Sequence, residues 1–513
     1  MRKIKYVRNS FINQGSVLLT EKPFVYVLKS KLRGEICDNC FQRRQLLKCA
    51  GCAYVQYCNR ECQKQSWEDH KVECGNLRRV APRVVPDAAR LLARIIFKLK
   101  RGGGLERRYY TETKSRTFKD LMSHYSNVKQ DKLRMEHLTA LSVVLTEFIG
   151  ESNMPNSAEL MAMYGRVCVF SLELHARFNI LDPEMLSVGT GIYLGASIID
   201  HSCDPNAVAV FQGTTIFIRT LRDIPALDWD KIFISYIDLL NFPQERRKEL
   251  QQTYYFLCEC RRCNDVEELA GMSSVVCPNQ ECRAPVPVPT HVRITSSNNC
   301  AIKHFPVGDR PCCLTCGAIV SDEMHQEYLE VAEFTQDQLN VMNNIAYLDV
   351  CKVCLKKQSG IFHKQDMLRA RVVDLAFESS IEMGQFPLAR EYGEELVSSY
   401  SKHVCLDCGL QPIPSLNNQH YEVMHQHLLL LSLIVDKLTG LSETLCVDRK
   451  YYGPSHPLLG LLHLKLAKLL LYLEESQEAV THARLAQKVL KVTHGEDHSL
   501  YRGELAAVIQ QCE

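Results

Sequence analysis

Apolar positions in this chain follow two periods. Residues 16–28, S-V-L-L-T-E-K-P-F-V-Y-V-L, are rich in β-branched and aromatic side chains interrupted by Lys22 and Pro23, which predicts two short strands around a turn. From Pro86 to Lys100 the period lengthens: Ala89, Leu92, Ala93 and Ile96 share one helical face, and Gly102-Gly103-Gly104 breaks it. Leu138, Leu141, Leu145 and Phe148 form a second helical stripe. Short β-prone runs return at Tyr193 to Ile199, Ala207 to Phe211, Thr215 to Leu221 and Ile232 to Tyr236. From about Asn343 the pattern is helical again. Leu458 to Leu473 is leucine-dense, and Ala479, Ala483, Ala486 and Leu490 form the small-residue stripe of closely packed helix pairs. Helical repeats of the tetratricopeptide kind fit this stretch, although no clean period of about 34 residues emerges.

At 513 residues the chain exceeds what one core usually serves, so about two to four domains are expected, and 46% hydrophobic residues suffice to pack them. The 61 basic and 59 acidic residues leave a formal charge of +2, which argues against a general polyanion binder. One local excess stands out. Residues 78–108 hold Arg78, Arg79, Arg83, Arg90, Arg94, Lys98, Lys100, Arg101, Arg107 and Arg108 against only Asp87 and Glu106, the pattern of a solvated helix face or of weak contact with DNA or an acidic tail. The longest apolar run, Leu428 to Val435, has eight residues, too few for the roughly 20 that cross a bilayer, so no membrane span is expected.

Cysteine changes the picture most. Met1 to Phe11 lacks the apolar stretch of a signal peptide, so the 24 cysteines are expected in a reducing compartment, as thiolate ligands rather than disulfides. Within residues 37–74 lie Cys37 and Cys40, Cys49 and Cys52, Cys58 and Cys62, and His70 and Cys74. Two or three residues separate the members of each pair, the reach needed to clasp one side of a tetrahedral ion, so the stretch reads as two closed zinc sites. Such a segment has too little apolar surface to fold by burial, and metal must contribute the missing free energy.

Further on, Cys258, Cys260 and Cys263 in C-E-C-R-R-C offer three corners of a tetrahedron, and Cys203 in the preceding D-H-S-C-D-P-N (Asp200 to Asn206) is the natural fourth. That predicts a third zinc. Cys277 and Cys282 could join Cys313 and Cys316 as the halves of a zinc ribbon, a fourth site open on spacing alone, with Cys312 an alternative ligand. The pairs Cys351 with Cys354 and Cys405 with Cys408 read as small buried apolar residues.

A metal-binding insert after the first strands, then D-H-S-C-D-P-N, S-Y-I-D-L-L and a C-x-C-x2-C cluster, resembles the SET and MYND domain (SMYD) lysine methyltransferases. The resemblance extends to Y-G-P-S-H-P (Tyr452 to Pro457) and V-T-H-G-E-D-H-S-L (Val492 to Leu500), phrases most similar to those of the third vertebrate member. It implies an α+β multidomain fold: first SET strands at 1–34, a MYND zinc finger at 37–74, a helical linker and insert at 75–180, a SET core at 181–242, a zinc-bound post-SET segment at 243–264, an insertion at 265–330 and a tetratricopeptide-like helical domain at 331–513. It also implies S-adenosylmethionine as cofactor beside zinc, histone and non-histone protein substrates, proline-rich partners at the MYND finger, and a cytoplasmic and nuclear location. By the family's motifs, His124, Asp200, His201 and Phe256 would contact the cofactor, Tyr236 would carry the catalytic hydroxyl as well as touching it, and Phe178 would wall the lysine channel.

The chemistry can be stated without the family. A lysine amine has a pKa near 10.4 and cannot attack a methyl group until it loses a proton. A narrow aromatic channel disfavours the ammonium form by desolvation, as does a nearby sulfonium charge, so no strong general base is required. Alignment of nitrogen, methyl and sulfur then becomes the protein's main task.

This chain departs from the family at several positions. Asp200 stands where Asn is usual, and an ionised carboxylate only accepts hydrogen bonds. Residues 1–20 contain only Gly15 where members carry a G-x-G turn, as if the first SET strands were truncated. Val169 to His175 looks like an extra segment before Phe178, Ala176 replaces an Asn, and Leu227 to Asp230 occupies a turn normally rich in Gly and Glu. Two functions follow: an active protein-lysine (histone-lysine) methyltransferase engaged in transcription regulation, or an inactive zinc-dependent adaptor that holds partners through the MYND module and helical lobe.

Overall fold

The computed structural model describes residues 11–168, 179–289, 310–342, 347–400 and 451–512. Phe178, the segment Val169 to His175, the run Leu428 to Val435 and the pair Cys405 and Cys408 lie outside them.

The fold is mixed α and β. Its sheets join strands far apart in sequence. Val17–Glu21 pairs antiparallel with Thr215–Thr220, which also pairs with Ala207–Gln212. Val25–Leu28 pairs with Ser187–Ile192, which pairs in turn with Asn179–Leu181. Residues 29–178 are thus an excursion from one β unit, and the strand prediction for 16–28 is met by both early strands. Their inward side chains Leu18, Leu19, Phe24, Val25 and Val27 are buried in the same core as Ile216, Ile218 and Ile192.

Tyr193 to Ile199 does not form the expected strand. The ladder stops at Ile192 and residues Ala196–Ile198 make a 3-10 turn. The buried carboxylate of Glu21 accepts the backbone N–H groups of Gly195 (3.1 Å) and Ala196 (2.8 Å), which pulls the chain out of the sheet. Likewise only Phe233–Ile234 of the Ile232 to Tyr236 run is strand, parallel to Asp200–His201.

The excursion holds the cysteine-rich module and four long helices, Arg60–Val80, Asp87–Lys100, Lys132–Ile149 and Ser157–Cys168. Asp87–Lys100 buries Ala89, Leu92, Ala93 and Ile96 as its period predicts. It also buries Arg90 and Arg94, so the solvated basic face expected over 78–108 fails at these two, while Arg78, Arg79, Arg83, Lys100, Arg101 and Arg107 are exposed as expected. Glu73 accepts from both guanidinium groups (2.9 and 2.6 Å), and Asp38 lies 3.3 Å from Arg90. Burial alone would raise the Glu73 pKa, but Arg90 and Arg94 outweigh it and hold the carboxyl well below its ordinary range. Arg79 and Lys98 donate to the backbone oxygens of Phe148 and Phe24, and Arg83 pairs with Glu147. These cations are committed to the protein itself.

The C-terminal part is helical from Asp322, earlier than the predicted Asn343, so the expected division at 330/331 falls inside the Asp322–Met342 helix. Met367–Glu382, Phe386–Tyr400, Pro457–Tyr472 and Ser476–Thr493 each contact the next. Ala479, Ala483, Ala486 and Leu490 are fully buried or nearly so, as their spacing predicts. Cys351 and Cys354 sit one turn apart on Leu348–Gln358 with no exposed surface, packed as apolar side chains. The lobe is fastened to the β unit by polar contacts: Tyr452 donates to Asp238 (2.7 Å), Arg219 to the Val492 carbonyl (3.1 Å), and His498 Nε2 lies 2.8 Å from the Phe211 carbonyl. The two C-terminal phrases noted in the sequence are therefore contact points between lobe and sheet. Among the described residues, no helix is long and apolar enough to cross a membrane.

Candidate metal centres and active-site cavity

Four groups of four ligand atoms, each drawn within 4.8 Å, occur among the described residues, and all suit zinc. In the N-terminal module the pairs alternate: Cys37, Cys40, Cys58 and Cys62 face one point, and Cys49, Cys52, His70 and Cys74 another. The Arg60–Val80 helix serves both. Asn59 caps it by accepting from the Cys62 N–H (2.8 Å), which sets Cys62 in the first turn, while His70 and Cys74 share one face at i and i+4. Gly51 is required here, since a Cβ at that position would stand 2.9 Å from the Cys74 sulfur. His70 presents Nε2 to Cys52 (3.6 Å), and Glu73 lies 3.3 Å from Nδ1, the carboxylate support that orients a ligating imidazole.

The third group, Cys203, Cys258, Cys260 and Cys263, underlies a cavity of about 680 Å³, within the range of small-molecule sites. Four distant segments wall it: Arg116 to Asn127, Arg166, Ser197 to His201, and Phe233 to Phe256. His124, Asp200, His201, Tyr236 and Phe256 all line it, so five of the six residues singled out in the sequence meet at one place, the sixth, Phe178, lying outside the described residues.

His201 links cavity and metal group. Its Nδ1 accepts the Tyr236 backbone N–H at 3.0 Å, which leaves Nε2 to carry the proton toward the Cys203 sulfur 3.3 Å away. Burial pushes the His201 pKa down to about 4. With both nitrogens committed and the ring neutral, His201 is a positioning group rather than a base. The rings of Tyr236 and Phe256 lie 5.3 and 6.0 Å from it, and Tyr254 packs 5.1 Å from Tyr236. The Tyr236 hydroxyl donates to the Ile199 carbonyl, and its own backbone oxygen accepts from Tyr254 (3.2 Å).

Two strained residues shape the rim. His124 and Tyr255 both have left-handed backbone (φ +47° and +59°), and their rings pack at 5.6 Å, tilted by 46°. The turn at Tyr255 ends the Pro243–Tyr254 helix, after which Phe256 lines the cavity and Cys258 reaches the metal group. Arg116, Asn127, Arg166, Tyr254 and Tyr255 also line the cavity but were not anticipated. The Tyr254-Tyr255-Phe256 run just before C-E-C was a usable signal; Arg116, Asn127 and Arg166 carried none.

Together these features define a zinc-finger protein: residues 37–74 match the family model of the MYND finger. Nearly the whole chain is similar to the histone-lysine N-methyltransferase SMYD3 of Homo sapiens, 26% identical over 510 residues, covering 98% of this chain and 93% of that protein. The N-lysine methyltransferase SMYD2-A of Xenopus laevis is 28% identical over 453 residues, covering 86% and 91%. Over nearly its whole length, then, the chain is similar to lysine methyltransferases of the SMYD family.

Proposed function

We propose that the protein is an S-adenosylmethionine-dependent protein-lysine N-methyltransferase acting on histones and non-histone proteins in cytoplasm and nucleus, with a role in transcription regulation. The observation that carries this reading is the convergence of His124, Asp200, His201, Tyr236 and Phe256 on one cavity backed by a four-cysteine group. The strands on either side of the 29–178 excursion form a split SET unit, with the core at 181–242 and the post-SET segment at 243–264. The C-terminal helices form a tetratricopeptide-like lobe.

The donor set suits the cofactor. The cavity's volume, the Phe256 ring for a purine face and the Asp200 carboxylate for an ammonium group match its parts, with His124 on the rim. When bound, S-adenosylmethionine supplies a methyl group on a positively charged sulfur. The protein's share is positional. His201, locked between the Tyr236 N–H and Cys203, fixes the strand end from which Tyr236 projects. The Tyr236 hydroxyl is anchored through its donated bond to Ile199, which leaves its oxygen lone pairs to orient an incoming amine. Phe178 would complete the aromatic wall that strips water from the amine. At the MYND finger, the half-exposed Trp67 ring, 5.9 Å from that of His70, offers an aromatic face to proline-rich peptides.

A second reading, the inactive adaptor, is favoured by Gly15. Its backbone lies against Val492 of the helical lobe, where a Cβ would stand 3.3 Å from Cα, and it does not line the cavity as a cofactor-binding glycine would. One assay separates the readings. Purified zinc-replete protein is expected to transfer labelled methyl to histones or a lysine-peptide panel, and Tyr236→Phe to do so about a hundredfold more slowly. No transfer, together with no S-adenosylmethionine binding by calorimetry, would leave the adaptor.

A further inference from the structure

We infer that Cys277, Cys282, Cys313 and Cys316 hold a structural zinc ion of their own, beyond the three that the family resemblance implies, and that it is the most exchangeable of the four. The four sulfurs lie within 4.8 Å of one another, with Cys277 to Cys316 at 3.4 Å and Cys282 to Cys313 at 3.7 Å. A tetrahedron with metal–sulfur bonds of about 2.3 Å has edges of about 3.8 Å, so this is the spacing of one shared ion. It is too long for a disulfide, whose sulfurs approach to about 2.05 Å, and too short for a multi-iron cluster at the centre.

The surrounding backbone is built for thiolates. Cys277 and Cys282 flank the turn of a hairpin, Ser274–Val276 against Pro285–Pro287, and Cys313 and Cys316 occupy a second turn closed by Cys313 N–H to the Ala318 carbonyl (2.8 Å) and Gly317 N–H to the Cys313 carbonyl (2.8 Å). Backbone N–H groups of Asn279, Ala284, Thr315 and Cys316 point at the sulfurs of Cys277, Cys282 and Cys313. Such donors stabilise a thiolate and hold it in place for a metal.

The ion has structural work to do. The hairpin leans on the helical part: Val276 N–H donates to the Ile361 carbonyl (2.9 Å), His363 N–H to that of Ser274 (3.0 Å), and Ser274 N–H to the Asp366 carboxylate (3.0 Å). That carboxylate also caps the Met367–Glu382 helix through the Leu368 and Arg369 N–H groups. Val275, Cys277, Val286, Cys313, Val320 and Tyr328 belong to a second apolar core, separate from that of the β unit. The ion therefore staples this core to a helix start. Its exchangeability follows from exposure: Cys277 and Cys313 are buried, yet Cys316 is exposed, whereas neither the MYND groups nor the Cys203 group has an exposed ligand.

The test is metal counting on the full-length protein by elemental analysis and native mass spectrometry, followed by release into a colorimetric chelator. Wild type should hold four zinc ions, one leaving several-fold faster than the rest. Cys313→Ser/Cys316→Ser should hold three and lack the fast phase, and Cys312→Ser should keep all four. Three ions in wild type, four in the double variant, iron in place of the fourth zinc, or a fast phase that survives the double variant would each overturn the inference. Should the variant fail to fold, hydrogen exchange of wild type decides: loss of the first ion must loosen residues 274–288 and 310–320, and loosening confined to 37–74 would sink the idea. None of these readouts depends on methyl transfer.

Discussion

The β unit with its cysteine modules and the C-terminal helical lobe are held together by different physics. Around residues 37–74 and beneath the cavity, short strands and loops place thiolates and imidazole, and buried charge supports them: Glu73 with Arg90 and Arg94 beside the finger, and Arg246, fully buried 3.9 Å from the Cys263 sulfur, beside the third group. In the lobe, Leu466, Ala467, Ala483, Ala486 and Leu490 are buried, and apolar contact does most of the work. A metal-held region loses its structure all at once when a ligand goes, because three remaining ligands cannot close the site. A helix-packed region loses stability in proportion to the volume removed.

That contrast can be broken experimentally. Cys263→Ser is expected to have the largest effect, releasing one zinc and abolishing methyl transfer while the lobe keeps its helical circular dichroism. If helicity collapses in parallel, the two regions are not separable. Leu466→Ala should cost about 3 kcal/mol in denaturant unfolding of the lobe with zinc content unchanged. Tyr236→Phe should retain every ion and its unfolding midpoint yet lower kcat about a hundredfold, equivalent to about 2.7 kcal/mol of transition-state positioning. A variant that loses zinc instead would make Tyr236 a scaffold residue.

The smallest effect concerns Glu249. Its pKa is raised to about 7 by burial, then by Asp238 and Glu245. An acid whose folded pKa lies above its ordinary value near 4.5 favours the folded state while protonated. Its contribution is complete below pH 4.5 and is lost as the pH rises toward 7. Glu249→Gln should therefore raise the melting temperature at pH 8 and leave it unchanged at pH 5. An equal shift at both values would show that the carboxyl is not perturbed.

Much of the site was legible because its signals are local. The identity of the zinc ligands follows from pair spacing, and Cys203 was paired with Cys258, Cys260 and Cys263 because three thiols demand a fourth. The burial of Ala479, Ala483 and Ala486 follows from helical period alone. Other features escaped. Within the basic stretch, Arg90 and Arg94 read as solvated because charge is visible in a sequence and its partners are not: Glu73 lies 17 and 21 residues from them. The turn at Ala196–Ile198 depends on Glu21, 174 residues upstream of Gly195.

By itself, then, the sequence determined which residues can bind metal, which periods make strands or helices, and which motifs would form a cavity. Tertiary structure alone decided that Cys37 and Cys40 are grouped with Cys58 and Cys62 rather than with the nearer Cys49 and Cys52, and that Arg116, Asn127 and Arg166 wall the cavity. The reason is the range of the forces: spacing and periodicity act over a turn of chain, whereas the pairing of ligands, counter-charges and walls is settled only when chain closure brings distant segments within a few ångströms.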